Sequence, residues 1–198
     1  MAKTSSARLN AEDFARLPND RFRYEIIAGE LYMSPSPKAR HQYLLGELYY
    51  RLRAYLAAHP LGTVYVAPFD VHFGGEDIVQ PDLIFIRQER VKALVKDWIY
   101  GVPDLLVEVL SPATEMGLDR KAKFQLYETR GVADYWLADP ERRRWEAYRL
   151  RAGKYRQVAN LGGDEIFTTP VFPGWELPLA SLWMPDSDEP RRGPAAAG

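Results

Sequence analysis

Residues 103–127 read PDLLVEVLSPATEMGLDRKAKFQLY, a stretch that predicts a buried strand followed by a helix. The run at 105–110 is almost entirely apolar and rich in branched residues, which is typical of a strand buried on both faces. One carboxylate, Glu108, lies in the middle of this run. Because an ionised carboxylate is costly to bury alone, we expect Glu108 to be paired, protonated or bound to a cation.

The helix that follows is predicted to bring a basic group back towards that acid. Thr114 is its predicted N-cap, and Asp119, Lys123 and Tyr127 recur at i, i+4 and i+8 on one face. We expect Asp119 to position Lys123 through an i,i+4 contact, while Tyr127 either binds a ligand or packs. The stretch alone is equally consistent with a structural ion pair and with a functional site.

Composition limits the classes of protein that this chain can belong to. The chain has 198 residues, which is enough for one domain with a full hydrophobic core. We expect a single domain at residues 10–184, with flexible tails at 1–9 and 185–198. The formal net charge of −1 indicates no global nucleic-acid-binding surface, so any such surface must be a local patch.

The sequence predicts a cytoplasmic protein with no membrane association. Cysteine is absent, which excludes disulfides and thiolate metal sites and suits an intracellular location. No apolar stretch approaches the roughly 18 residues of a membrane helix. The N-terminal sequence MAKTSSARLNAEDF also lacks the apolar core of a signal peptide.

The N-terminal half predicts a hairpin and a long helix, each with one residue of interest. Residues 21–35 alternate around a central glycine, which indicates a β-hairpin, and Glu25 within it, flanked by Tyr24 and Ile26, is compatible with an inward orientation. Residues 37–59 have apolar side chains at helical spacing. His41 lies in the first turn of that helix, where a histidine either packs or joins a functional site.

A second apolar strand with an internal acid is predicted at residues 78–86 (IVQPDLIFI). Pro81 removes a hydrogen-bond donor from the strand, so it marks the start of the strand or a bulge. By two-residue alternation, Asp82 shares a face with Ile84 and Ile86. The short connection to the Glu108 strand makes it reasonable that the two acids are neighbours.

The order of the elements predicts the fold class. A helix, a hairpin, a long helix and then strands and helices in alternation indicate an α/β (α+β) protein with a mixed central β-sheet flanked by helices. Two more hairpin strands are predicted after residue 133, giving C-terminal β-hairpins. Their aromatic side chains are candidates for a subunit interface, namely Trp136, Trp145, Tyr148 and Tyr155.

Two acids and a lysine at neighbouring strands suit a site for a hard divalent cation. Mg²⁺ takes oxygen ligands, keeps waters and needs only one or two protein carboxylates. Such a metal generates a nucleophilic water, which a lysine can orient, and stabilises charge at a phosphoryl group. The three histidines have no paired spacing, so zinc is not expected, and neither a Gly-rich phosphate loop nor G-x-S-x-G is present.

Five segments also carry a resemblance to a known family. They are YEIIAGELYMSP at 24–35, the dipeptide HQ at 41–42, QPDLIFI at 80–86, VEVLSPAT at 107–114, and D-x-x-x-K-x-x-x-Y at 119–127 followed by GVADYWLADP. In this order they resemble the PD-(D/E)XK nuclease superfamily, to which type II restriction endonucleases belong. Within it they are similar to a bacterial family of restriction endonucleases of otherwise unknown function, and the resemblance spans residues 10–180.

The resemblance implies a restriction endonuclease-like core with Asp82 and Glu108 as ligands of Mg²⁺ or Mn²⁺. The superfamily signature has a lysine two residues after the second acid, where this chain has Leu110. The family pattern on the following helix matches Lys123 and implies that the lysine has migrated there. Lys121 is off that helix face and is expected to be solvated.

Two hypotheses about function follow, with a third beside them. The first is a metal-dependent endonuclease acting on DNA, with Asp82, Glu108 and Lys123 as catalytic residues and Glu25, His41, Asp119 and Tyr127 as supporting residues. By analogy with other nucleases of this fold, it would act as a homodimer or higher homo-oligomer. The second is a nuclease fold retained as a nucleic-acid-binding or assembly module without catalysis, and the third is a hydrolase of other phosphate esters.

One local basic surface was considered as a phosphate-binding patch near the long helix. Its members are Arg21, Arg23, Lys38, Arg40, Arg51 and Arg53. Charged residues on a helix more often form a solvated face, and the near-neutral net charge gives the patch no further support.

Overall fold

The computed structural model describes residues 8–18, 20, 22–111 and 118–185, without the side chains of Leu118 and Asp119. The predicted cap Thr114, the expected contact of Asp119 with Lys123 and most of both predicted tails lie outside these residues. Arg21 of the predicted basic patch also lies outside them.

The larger sheet contains six strands of the described chain, and the acid-bearing strand is at its centre. Its strands are β3 Gly62–Val66, β6 Leu83–Arg87, β8 Leu105–Val109, β9 Asp134–Asp139, β10 Arg144–Arg151 and β11 Lys154–Gly162. They lie in the order β11-β10-β9-β8-β6-β3, so β8 is an inner strand. β8 is parallel to β9 and antiparallel to β6, and the other neighbouring pairs are antiparallel. The sheet is therefore mixed.

A second sheet, of five described strands, contains the predicted N-terminal hairpin. Its strands are β1 Arg23–Ile27, β2 Glu30–Ser34, β4 Val71–Gly74, β5 Asp77–Val79 and β7 Ile99–Tyr100, in the order β2-β1-β5-β4-β7. The hairpin turns at Ala28 and Gly29, whose φ angles of 53° and 78° match the left-handed turns that join short hairpins. Two further strands, β12 Ile166–Thr168 and β13 Glu176–Pro178, pair with each other.

Four helices of the described chain flank these sheets. They are α1 Ala11–Phe14, α2 Ala39–Ala58, α3 Gln88–Leu94 and α4 Leu118–Arg130, with a short 3-10 helix at Leu179–Ser181. Asn10 caps α1 through a capping box with Asp13. α2 buries His41 and a row of leucines at helical spacing, which confirms the predicted long helix.

The six-stranded sheet is buried on both faces, which explains the continuous apolar runs of its inner strands. Leu83 and Phe85 of β6 face the leucines of α2. Ile84 and Ile86, which alternate with them, face α4 and the five-stranded sheet. The same alternation places Glu108 of β8 on the face shared by Leu106 and Leu110, towards α4.

The single strand predicted at residues 78–86 is wrong. β5 ends at Val79 and belongs to the five-stranded sheet, whereas β6 begins at Leu83 and belongs to the six-stranded sheet. Pro81, between them, cannot donate to either ladder, so the chain leaves one sheet there and joins the other. Asp82 therefore lies immediately before β6 and at the junction of the two sheets.

The aromatic residues proposed for a subunit interface lie mainly in the core. Trp136, Trp145 and Tyr155 are buried, and Tyr148 is half-buried. Trp136 stacks in parallel on Trp175 at 6.3 Å between ring centroids. These side chains stabilise the fold, so they do not provide a surface for a second subunit.

The mixed α+β architecture with flanking helices confirms the predicted fold class. Among the helices that the structure describes, none is both long enough and apolar enough to cross a bilayer.

Candidate active site

Asp82 is fixed by three neighbours on three different elements. Its Oδ1 accepts a hydrogen bond from Arg23 Nη1 of β1 at 2.8 Å. Its Oδ2 accepts one from the backbone N–H of Val109 at 2.8 Å and lies 3.1 Å from His41 Nε2. Because an ionised carboxylate only accepts hydrogen bonds, His41 acts as the donor. The side chain is 1% exposed, so these contacts replace water.

Glu108 is held by the helix that follows it, as the sequence predicted. Lys123 Nζ donates to both of its carboxylate oxygens, at 3.1 and 3.2 Å. The hydroxyl of Tyr127 donates to Oε1 at 2.7 Å. The predicted i, i+4 spacing on α4 thus brings both side chains to the acid. Lys121 is exposed, also as expected, whereas Lys123 is 3% exposed.

Glu25 joins the same cluster from the five-stranded sheet. Its Oε2 lies 2.8 Å from Lys123 Nζ, an ion-pair distance, and its Oε1 accepts a hydrogen bond from the backbone N–H of Gln80 at 2.8 Å. Lys123 therefore contacts acids on two sheets. The inward orientation with which the sequence is compatible is observed for Glu25, since this residue is 1% exposed.

Arg23 is a site residue that sequence reasoning did not single out, having placed it only in a general basic surface. Its guanidinium contacts Asp82 and the carbonyl oxygen of Gln80, at 2.8 and 3.2 Å. The signal was the two-residue alternation of β1, which puts Arg23 on the face of Glu25 and Ile27. In the predicted patch, Arg40 Nε lies 3.8 Å from Glu141 and Arg51 Nη2 lies 3.6 Å from Glu47, while Arg53 is exposed.

The cluster has more buried acids than buried bases. Among the described side chains, three carboxylates (Glu25, Asp82 and Glu108) meet the cations of Arg23 and Lys123, which leaves one negative charge. Burial raises the pKa of Glu108 to about 8 against the opposing charge of Lys123, and the charges of Asp82 and Glu25 add to the rise. Glu108 is therefore the acid that holds a proton near neutral pH when no further cation is present.

The pKa values of Asp82, Arg23 and Tyr127 are shifted so that each group keeps its usual charge state near neutral pH. Burial raises the pKa of Asp82, but the hydrogen bond from His41 and the charge of Arg23 outweigh it, so the pKa lies well below its usual range. Burial lowers the pKa of Arg23, but the neighbouring carboxylates raise it above the ordinary value. Burial and the charge of Glu108 raise the pKa of Tyr127, which therefore stays a neutral donor.

The cluster opens into a cleft of about 130 Å³. One wall is the segment between β2 and α2, and the other is the end of β8 with α4. The lining side chains are Arg23, Ser34, Pro35, Ser36, Pro37, Lys38, His41, Glu108, Val109, Leu110, Ser111, Arg120, Lys123 and Tyr135. Glu108 and Lys123 thus face a space that a small group of a larger substrate can enter.

The donor set fits a hard divalent cation bound through few protein ligands. Carboxylate oxygens are the ligands that Mg²⁺ prefers, and the uncompensated negative charge favours a cation. The described residues contain no group of three or more His, Cys, Asp or Glu side chains arranged to hold a metal ion. The fit is therefore to a site with one or two carboxylates, Asp82 and Glu108, in which waters complete the shell.

Comparison with known proteins identifies the fold and the family of this chain. A solved structure described as a putative nuclease belonging to DUF820, from Anabaena variabilis, has the same fold, with a TM-score of 0.73 and 18% identity over 88% of this chain and 97% of that one. A comparison with curated proteins returned no match. The family model "Uma2: Putative restriction endonuclease" matches residues 11–180. This match covers most of the chain and confirms the family resemblance seen in the sequence: the chain belongs to the Uma2 family, whose model carries the description "Putative restriction endonuclease".

Proposed function

We propose that this protein is a metal-dependent endonuclease that hydrolyses phosphodiester bonds in DNA. The observation that carries the proposal is the meeting of Asp82, Glu108 and Lys123 in one buried cluster beside a cleft. Membership of a restriction endonuclease family supports the same class of nuclease. Asp82 and Glu108 would hold Mg²⁺ or Mn²⁺, whose chemistry is to polarise the phosphodiester and to supply a nucleophilic water.

The protein's own groups have distinct roles in this proposal. Lys123 keeps a positive charge at the Glu108 carboxylate, where it orients the water or stabilises the charge that develops on the phosphoryl oxygens. Glu25 and Tyr127 restrict the position of that ammonium and of Glu108. His41 and the Val109 N–H orient Asp82. Lys123 thereby takes the place of the signature lysine, whose usual position is occupied by Leu110 in this chain.

The experiment is nicking of supercoiled plasmid with Mg²⁺ or Mn²⁺ by the wild type, Glu108→Ala and Lys123→Ala. Lys121→Ala is the matched control, because Lys121 is two residues away on the same helix and exposed. We expect nicking by the wild type and the control, and loss of nicking in the other two variants with the fold retained by circular dichroism. Nicking that persists in both site variants would contradict the assignment of Glu108 and Lys123 as catalytic residues.

A second candidate, a nuclease fold that binds nucleic acid or assembles without catalysis, is favoured by one observation. Both oxygens of Asp82 and both of Glu108 already accept hydrogen bonds from protein donors. A cation must therefore share these carboxylates with basic groups. Thermal stabilisation by Mn²⁺ that disappears in Asp82→Asn is expected for the enzyme, and absence of any Mn²⁺ effect in the wild type would favour the module.

A homodimer that cuts both strands remains part of the proposal. Sedimentation of the wild type measures it directly, and a monomer at all concentrations with double-strand cleavage retained would contradict it.

A further inference from the structure

The guanidinium of Arg23 uses only part of its hydrogen-bonding capacity. Both of its hydrogen bonds, to Asp82 Oδ1 and to the carbonyl oxygen of Gln80, leave from Nη1. Nε and Nη2 donate to none of the described residues. These two atoms form the second edge of the planar guanidinium, which matches two oxygens of a carboxylate or phosphate.

The Arg23 side chain is partly exposed at the cleft. The Arg23 side chain is 22% exposed, and Arg23 lines the same cleft as Glu108 and Lys123. Asp82 and Gln80 restrict its rotation, so little side-chain entropy is left to lose when the free edge binds a ligand. The charge is permanent, because a guanidinium in a protein does not lose its proton.

The opposite part of the cleft also favours an anion. The residues before α2 and His41 in its first turn line the cleft, so the N-terminus of this 20-residue helix lies at the same opening. Its N-cap, Lys38, provides no side-chain hydrogen bond, and the first turn contains no acidic residue. The positive end of the helix dipole and the exposed ammonium of Lys38 therefore add positive potential at this opening.

We propose that the Nε–Nη2 edge of Arg23 binds the non-bridging oxygens of the phosphodiester that enters this cleft. The inference rests on the proposed function and adds a residue to it: Arg23 contacts the substrate phosphate, while Lys123 acts beside Glu108. Arg23 and Lys123 together would supply two cations at the phosphate. This chain has Leu110 at the position where the superfamily signature has a lysine. In this proposal Asp82 also positions Arg23, because it accepts a hydrogen bond from Nη1 and leaves the Nε–Nη2 edge for the substrate.

The test uses Asp82→Asn as a background. In wild-type protein, loss of Arg23 would leave Asp82 as a buried charge, whereas asparagine at position 82 removes that charge and also prevents cleavage during binding. The compared proteins are Asp82→Asn alone, Asp82→Asn with Arg23→Gln, and Asp82→Asn with Arg53→Gln. Arg53 is an exposed residue of α2 and lies about 18 Å along the helix from His41 by its rise per residue.

Two probes are measured on each protein, namely inorganic phosphate by its effect on thermal unfolding and a labelled random-sequence oligonucleotide by fluorescence anisotropy. We expect Arg23→Gln to weaken phosphate binding about tenfold. It should also reduce the slope of log Kd against log salt for the oligonucleotide by about one, as for one lost phosphate contact. Arg53→Gln should leave phosphate binding unchanged.

A purely structural role of Arg23 would change stability and leave the phosphate affinity and the salt slope as they were. Equal phosphate affinity with and without Arg23, or no phosphate effect in any of the proteins, overturns the inference. Plasmid nicking by the wild type tests the proposed function separately. Absence of nicking together with Arg23-dependent phosphate binding would refute the endonuclease and leave the anion site in place.

Discussion

At the scale of single residues, burial decides which groups of this chain are suited to chemistry. Lys121 and Lys123 lie on the same helix and have the same side chain, yet only Lys123 is buried between two carboxylates. A buried ammonium acts in a low-dielectric environment, where its charge influences a neighbouring group far more strongly than a solvated charge does. The functional contrast between the two lysines is therefore a matter of position.

Substitution of Lys123 should affect both rate and stability. We expect Lys123→Ala to lower the nicking rate by about 10²-fold or more. We also expect it to lower the free energy of unfolding by about 3 kcal/mol, because it leaves Glu25 and Glu108 without their shared cation. Urea denaturation and plasmid nicking measure the two effects. An equal loss of stability in Lys121→Ala would contradict the explanation from burial.

The raised pKa of Glu108 predicts a pH dependence of stability for the metal-free protein. Between the ordinary value of 4.5 and the folded value of about 8, the folded state keeps a proton that the unfolded chain has released. The stabilisation is complete below this window and is lost as pH rises through about 8. The free energy of unfolding should therefore fall with rising pH in this range.

The matched variant for that prediction is Glu108→Gln, which cannot titrate. Chemical denaturation of the two proteins with chelator, at a series of pH values, compares their slopes. Identical slopes in the wild type and in Glu108→Gln would show that Glu108 does not hold the proton.

At the scale of elements, the sequence predicted what is local, and it missed what depends on the assignment of strands to sheets. The hairpin of β1 and β2, the helices α2 and α4 and the buried strand β8 follow from the periodicity of apolar residues and from the glycine of the hairpin turn. The contact of Lys123 with Glu108 followed from helical spacing. The break between β5 and β6 did not, because the apolar residues on both sides of Pro81 have the same pattern and only the tertiary structure places them in different sheets.

The same limit explains why the sequence did not predict the partners of Arg23 and Glu25. Arg23 and Glu25 lie one alternation apart on β1, but which residues they meet depends on how the two sheets face each other. Their partners, Asp82 and Lys123, are distant in sequence. Nothing in the local pattern of β1 contains that information.

Alanine substitutions at two glycines should change the stability of the protein in opposite directions, because the space around the two positions differs. A Cβ on Gly62, at the start of β3, would overlap the carbonyl oxygen of Ile86 and the ring of Phe85. Gly62→Ala should therefore cost about 1–3 kcal/mol. Gly46 lies on the exposed side of α2 with nothing within 4 Å of a Cβ, so Gly46→Ala should stabilise by about 0.5–1 kcal/mol. Urea denaturation of both proteins measures the pair, and a loss of stability in both would contradict the account.

At the scale of the whole molecule, the six-stranded sheet separates two cores with different tasks. The core against α2 contains the tryptophans of the C-terminal segment. The core against α4 and the five-stranded sheet includes Tyr127 and adjoins that cluster. The tryptophan packing thus lies on the face of the sheet opposite to Glu108 and Lys123.

This division predicts a variant that loses stability and keeps the site. Trp175 is 6% exposed and stacks on Trp136, so Trp175→Ala should cost about 3–5 kcal/mol. Tyr50, which is 69% exposed, provides the control, and Tyr50→Ala should change stability by less than about 0.5 kcal/mol.

The site should be unaffected at temperatures where Trp175→Ala remains folded. Plasmid nicking per folded molecule is then expected to match the wild type. A lower rate of nicking per folded molecule in Trp175→Ala would show that the two faces of the sheet are coupled.

The double contact of Lys123 has a mechanical consequence. The ammonium of Lys123 forms ion pairs with Glu25 on β1 of the smaller sheet and with Glu108 on β8 of the larger sheet. It therefore connects the two sheets. Sliding of one sheet against the other by about 1 Å would pull the ammonium from one of its acids, and a misplacement of that size costs about 10²-fold in rate. In the proposed nuclease, a displacement of one sheet along the other would therefore lower the rate without blocking the cleft.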